Sequence, residues 1–309
     1  MSDVVTVTGR VPAEQLGIGV VGERLVAHQE VPRPERATDS WFCEQPVTMP
    51  MLGDLMMGRA NRDDALLEPA HARTELERFA TVGGGVVVDV TTADEGRDLA
   101  ELARLSAKTG VRIVAAAAAS TDPGDIVEEL RSGVVGLVTV SAAAGDDERA
   151  AAYAAAVRTG APLLTDAGDT DPVVLVIDAL ESGLRPEQIA VRPIAPSIAD
   201  REALRRLAAA GVYLLFDGLG RIPTVRTLVS DHEIAATIAS LVADEAGDRV
   251  LLGAGLSRKH AFTAFGGHGL PFVPAQFVPY LRMLGLTEGQ ADRLITTNVH
   301  EFLTWTEAA

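Results

Sequence analysis

An α/β barrel, with eight parallel strands each followed by a helix, is the fold this sequence predicts, and three observations predict it. Short apolar runs recur eight times along the chain, longer amphipathic stretches separate them, and glycines stand where the helices must stop. The runs are Ile18–Val21, Val86–Val90, Arg112–Ala116, Val134–Val140, Pro162–Thr165, Ile189–Val191, Val212–Phe216 and Arg249–Leu252. Each is almost continuously apolar, as a parallel strand covered on both faces must be. Between them, Arg97–Thr109, Asp147–Thr159, Pro172–Glu181, Asp200–Ala209 and Asp231–Glu245 carry apolar residues at helical spacing, and Gly110, Gly160, Gly183 and Gly211 fit helix C-termini. Eight such units favour closure into a single (βα)8 TIM barrel. A chain of 309 residues that is 47% hydrophobic can bury one large core, so residues 1–309 are read as one domain.

A short strand around Val4–Thr8 precedes the barrel. The tracts Ala115–Ala119 and Ala150–Ala156 follow the same periodicities and read as packed structure rather than low complexity. Two segments break the rhythm. Residues 26–82, rich in Pro, Met and Arg, form a long first βα loop ending in a helix over Ala70–Ala80. Residues 257–279 form a long loop after the eighth strand, with Arg258, Lys259, His260, the run Gly266-Gly267-His268-Gly269 and several phenylalanines. Both emerge at the C-terminal barrel face, where ligands bind in this architecture. Phe262, Phe265, Phe272 and Phe277 are expected to line a pocket lid in preference to an interface.

Charge narrows the partners. A formal net charge of −16 repels phosphate backbones and anionic lipid, so neither nucleic acid nor membrane is expected. Cys43 is the only cysteine, which rules out an intrachain disulfide and a thiolate metal cage. Met1–Arg10 lacks the basic and apolar regions of a secretory leader, and no apolar run approaches the ~18–20 residues of a membrane span. A cytoplasmic protein is expected. Gly83-Gly84-Gly85 precedes a strand instead of opening a helix and reads as a turn, not a phosphate loop.

Several segments in order resemble one family: Gly9-Arg10-Val11-Pro12-Ala13-Glu14-Gln15-Leu16-Gly17, Gly84-Gly85-Val86-Val87-Val88-Asp89-Val90-Thr91-Thr92, Gly96-Arg97-Asp98, Thr109-Gly110-Val111, Phe216-Asp217-Gly218-Leu219-Gly220 and Thr297-Asn298-Val299-His300-Glu301-Phe302-Leu303. Together, from Val5 to about Trp305, they resemble the phosphotriesterase family of the amidohydrolase superfamily. The resemblance implies a two-zinc hydrolase with paired histidines ending the first strand, a carboxylated lysine ending the fourth, histidines ending the fifth and sixth, and an aspartate ending the eighth. Aligned on that pattern, this chain carries Gly22 and Arg24 flanking Glu23, then Thr139, Asp166, Pro193 beside Arg192, and Gly255. Only Asp166 among them is a metal ligand by chemistry, so the expectation is that no metal and no other cofactor is held. A shifted site built from His28, Glu30, His260 and His268 is the alternative.

The expected pocket gathers Asp166, Arg24 and Arg192 as candidate catalytic residues, with Glu23, Thr139, Ser141, Arg258 and His260 binding ligand. Guanidinium groups hold carboxylates and phosphates through paired hydrogen bonds, which points to a small anionic metabolite. One reading is metal-independent acid–base chemistry of lyase, isomerase or cyclase type, with Asp166 moving the proton and the two arginines stabilising developing negative charge. A second is a catalytically silent homologue that binds a metabolite or a partner, with Arg24, Asp166 and Arg192 as an internal ion-pair network. A third keeps metal-dependent hydrolysis of an ester, lactone or phosphotriester. Asp89 and Asp217 belong to the family pattern and are read as structural. The oligomeric state stays open, although the resemblance implies a homodimer.

Overall fold

The computed structural model of the chain describes residues 3–31, 37–117, 119–168, 170–193, 198 and 200–306. An antiparallel hairpin of β1 (Asp3–Thr6) and β2 (Gly9–Pro12) comes first. Two short strands, β4 (Ala27–His28) and β5 (Leu66–Leu67), pair antiparallel within the loop after the first barrel strand. The barrel strands are β3 (Ile18–Glu23), β6 (Gly84–Asp89), β7 (Arg112–Ala115), β8 (Val138–Ser141), β9 (Leu163–Asp166), β10 (Ile189–Arg192), β11 (Tyr213–Phe216) and β12 (Val250–Leu252). They pair in parallel as β3-β6-β7 and as β8-β9-β10-β11-β12, and a bridge between Ala116 and Leu137 joins the two sets. The last seam closes where β12 meets β3: the Arg24 amide donates to the Leu256 carbonyl at 2.8 Å. Gly253 makes this approach feasible, because a Cβ there would stand 2.0 Å from the Val21 carbonyl oxygen.

Alternation along the strands sorts side chains between two cores. Val21, Val88, Val114, Leu164, Leu215 and Leu251 fill the lumen, while the larger outer cluster packs helices against the strands' other faces. The N-terminal end of the barrel is plugged by Val4 and Val11 of the hairpin and by Val299, Phe302 and Leu303 of the helix Thr297–Leu303. Asn298 Nδ2 secures that helix by donating to the Gly247 and Val250 carbonyls. A floor closed this firmly leaves the strand C-termini as the open end.

Several of the outer helices start at side-chain caps. Asp98, Asp171, Asp200 and Ser230 accept from backbone amides at the starts of Leu99–Thr109, Pro172–Glu181, Arg201–Ala209 and Asp231–Ala243. Gly110 and Gly160 end their helices in the left-handed conformation. The helix Pro123–Arg131, capped by Asp122 and burying Ile126, Val127 and Leu130, was not among the sequence expectations. The fourth strand begins later than expected, at Val138, because Gly136 serves the floor: its carbonyl accepts the Trp305 indole N–H at 2.8 Å. The loop after β3 contains helices at Ala37–Cys43, Leu52–Met56 and Pro69–Thr81 and a small core of Phe42, Val47 and Leu55. The phenylalanines of residues 257–279 are not a lid. Phe262 and Phe277 are fully buried, and Phe265 and Phe272 pack against the outer core.

Candidate functional site

Carrying the lumen alternation one step past Leu137, Leu164, Ala190 and Leu215 brings Thr139, Asp166, Arg192 and Asp217 to the open end. Arg192 is the centre of this layer. Its Nη1 lies 2.6 Å from Asp166 Oδ2 and its Nη2 lies 2.9 Å from Asp217 Oδ2. Burial works against the guanidinium charge, but Asp217 and Asp166 outweigh it and hold the group more firmly protonated than usual. Burial raises the Asp217 carboxyl despite Arg192 and Arg221 nearby.

Gly22 explains how the arginine fits. The pairing of β3 with β6 slips between Val21 and Glu23, so Gly22 sits in a bulge at φ +91°. A Cβ on Gly22 would meet Arg192 Nη2 at 3.0 Å, Leu215 Cδ2 at 3.1 Å and Asp217 Oδ2 at 3.2 Å. The space beside the first strand end is therefore filled by the Arg192–Asp217 pair.

Glu23 does not face a cavity. It is fully buried, and its carboxylate accepts the Ala254 and Leu256 amides at 2.7 Å and the Gly255 amide at 3.3 Å, clasping β3 to the turn after β12. Burial pushes this carboxyl up to about 8 against those three donors, with Asp217 adding to the rise. Asp89 is structural as expected, accepting the Leu25 and Thr91 amides at 2.8 and 2.9 Å.

The expected three-residue network of Arg24, Asp166 and Arg192 does not form as one unit. Arg24 follows the bulge and turns toward the loop after β6, where its Nε lies 3.0 Å from both Glu95 carboxylate oxygens. Arg24, Glu95, Thr139, Ser141, Asp166 and Arg192 nevertheless line one cavity of about 370 Å³. Arg258 and His260 belong to a second, of about 750 Å³, between the loops that follow β3, β11 and β12. Asp217 lines this larger cavity, so the Arg192–Asp217 pair stands between the two.

The larger cavity contains residues that the sequence reading missed. Arg221 and Arg226, in the loop after β11, line it together with Arg59 and His268. Their signal was position: a loop that follows a barrel strand and starts Asp217-Gly218-Leu219-Gly220-Arg221 opens on the ligand face. Arg221 Nη2 donates to the Gly255 carbonyl at 3.2 Å. His260 is engaged by Asp64, its Nδ1 lying 2.9 Å from both carboxylate oxygens. His268 Nε2 pairs with the Ala254 carbonyl at 3.0 Å, and burial lowers its pKa to about 4, so its imidazole is neutral at neutral pH. Among the described residues, no group of three or more His, Cys, Asp and Glu is placed to hold a metal ion. Beneath the loops, buried Lys259 joins both sides of the rim through Asp63 at 2.6 Å and Glu68 at 3.0 Å.

Among the described residues no helix is long and apolar enough to cross a membrane. The phosphotriesterase family model matches residues 2–127 and 124–303. An N-acetyltaurine hydrolase of Danio rerio is 25% identical over 341 residues, covering 98% of each chain, and that of Mus musculus is 27% identical over 351 residues with the same coverage. The crystal structure of a resiniferatoxin-binding protein from Rhodobacter sphaeroides superposes with a TM-score of 0.89 at 27% identity, covering 98% of this chain and 95% of that one. A lactonase from Listeria monocytogenes shares the fold, with a TM-score of 0.78 at 19% identity over 99% of this chain and 100% of that one. With strands, floor and sequence model in agreement across nearly its whole length, the chain belongs to the phosphotriesterase family.

Proposed function

We propose that this barrel binds a small anionic molecule at its C-terminal face without divalent cations, with guanidinium groups supplying the positive charge. The observation that carries the reading is Arg192, held between Asp166 and Asp217 and filling the space over Gly22. The donor set at the aligned positions, Gly22, Arg24, Thr139, Asp166, Pro193 and Gly255, does not fit a pair of metal ions. Its one carboxylate is already bound to a guanidinium, and a cation there would lack the three or four ligands that a catalytic zinc needs. Asp166 has a side chain 42% exposed and lines the smaller cavity, which supports it as the group that gives or takes a proton. Arg24 and Arg192 line the same cavity and would stabilise negative charge developing on a bound carboxylate or enolate, which suits a lyase, isomerase or cyclase step.

A second reading is hydrolysis, favoured by relatives named N-acetyltaurine hydrolase that align over 98% of the chain, with the metal dependence that the family resemblance implies. N-acetyltaurine is itself a small anion, an acetamide carrying a sulfonate, so the two readings share a ligand class and differ in the metal. Metal analysis of the purified protein, together with acetate release from N-acetyltaurine with and without chelator, separates them. Far less than one divalent ion per chain and no chelator-sensitive acetate release are expected. Close to two ions per chain, lost on chelation together with acetate release, would overturn the metal-free reading in favour of the second.

A further inference from the structure

We infer that the larger cavity takes an amphiphilic anion, an acidic head on an apolar body of several carbons, rather than a compact polar metabolite. The inference rests on the reading that the C-terminal face binds an anion, and it names which kind. Charge bookkeeping around the cavity supplies the head group. Of the acids lining it, Asp217 is bound to Arg192, Asp64 to His260, and Asp231 accepts the Gly220 amide at 2.9 Å, which leaves Glu30. Of the arginines lining it, Arg59 pairs with Asp39, whereas Arg221, Arg226 and Arg258 have no carboxylate within ion-pair distance among the described residues. Although the chain has 43 acidic and only 27 basic residues, Arg221, Arg226 and Arg258 share this one cavity without an ion-paired carboxylate among the described residues, and only Arg221 has acids near enough, Asp217 and Asp231, to feel its charge. An anion completes them.

The body follows from the other wall. Leu52, Leu55 and Met56 line the cavity from the loop after β3, and Ile222 and Leu228 from the loop after β11. Ile222 is 60% exposed and Leu228 78% exposed. Large aliphatic side chains left open beside a cavity gain free energy when an apolar ligand covers them. A volume of about 750 Å³ lies within the range that holds drug-sized ligands and far exceeds what an acetate-sized anion fills.

A homologous series of n-alkanesulfonates, from two to ten carbons and kept below micelle formation, tests this by titration calorimetry, with n-alkanols of equal length as neutral controls. One site per chain is expected, with Kd falling roughly 3- to 4-fold for each added methylene until the cavity is full. The alkanols should bind at least about tenfold more weakly, and the double variant Arg221→Ala/Arg258→Ala, checked for an unchanged thermal midpoint, should lose about tenfold or more in sulfonate affinity while keeping the chain-length trend. Saturable sulfonate binding whose Kd does not change with chain length would overturn the amphiphile and leave the anion reading standing. Absence of binding at every length would overturn both, and alkanols binding as tightly as sulfonates would overturn the acidic head.

Discussion

A single buried carboxyl shows how this chain organises its ligand face. Glu23 spends both oxygens on the amides of Ala254, Gly255 and Leu256, and its pKa is pushed up to about 8 by burial. Because the folded value lies above the unfolded value of 4.5, the native state keeps a proton that the unfolded chain has lost between those two values. The stability linked to this group is therefore full at low pH and declines as pH rises toward 8. Glu23→Gln replaces the proton-bearing oxygen by an amide N–H₂, which brings two donors where the protonated carboxyl has one and leaves a buried donor unsatisfied. Urea unfolding should show a loss of roughly 1–3 kcal/mol near pH 5, with a smaller gap between wild type and variant at pH 9. A gap that widens with pH would contradict this assignment. The role of Glu23 was not legible beforehand, since its partners lie more than two hundred positions away, and Glu95 as the partner of Arg24 was hidden because it lies 71 positions away in a different loop. Asp166 and Arg192 were legible because the family resemblance aligned the fifth and sixth strand ends on them, and two-residue alternation accounts for their place above the lumen.

At the level of elements, the loops after β3 and β12 form one rim, and Lys259 is the fastening between them. Partial burial would raise the Asp63 carboxyl, but the Lys259 ammonium and the Val47 amide overcome it and lower it. Lys259→Met should cost roughly 1–3 kcal/mol, less than a fully buried pair because Asp63 and Glu68 can rehydrate. The Asp63 contribution is present above the ordinary value of 3.8 and is lost as pH falls through its lower folded value, so the difference between wild type and variant should shrink in acid. Denaturant midpoints taken from pH 7 down to pH 3 would check it, and a constant difference would show that the ion pair is not the source. Barrel strands were readable because burial on both faces leaves near-continuous apolar runs. The helix Pro123–Arg131 lay outside the expectations although Asp122-Pro123 is a good helix start, and in the loop after β3 the helix over Ala70–Ala80 was readable, found as Pro69–Thr81, whereas the stretch before it has no periodicity from which to read its order.

Over the whole molecule the barrel is a vessel with a sealed floor and an open mouth. Phe302 is central to that floor, with its ring centroid 5.3 Å from that of Tyr213 and its side chain fully buried. Phe302→Ala should destabilise the fold by about 3–5 kcal/mol, a large part of the total for a domain, as read by equilibrium unfolding. A loss under about 1 kcal/mol would mean that the terminal helix is dispensable. The fold and the location of the mouth were written in periodicity and family likeness. The division of the mouth into two chambers was not, because it depends on how one guanidinium chooses between carboxylates on neighbouring strands. That guanidinium also sets a rule for anyone redesigning the barrel. Installing a metal-binding imidazole at position 22 as a lone change is strained, since the first carbon of any new side chain presses on Arg192 Nη2 at 3.0 Å and inherits a backbone angle suited to glycine. An engineering route that makes room by removing the arginine takes the shared guanidinium away from both Asp166 and Asp217.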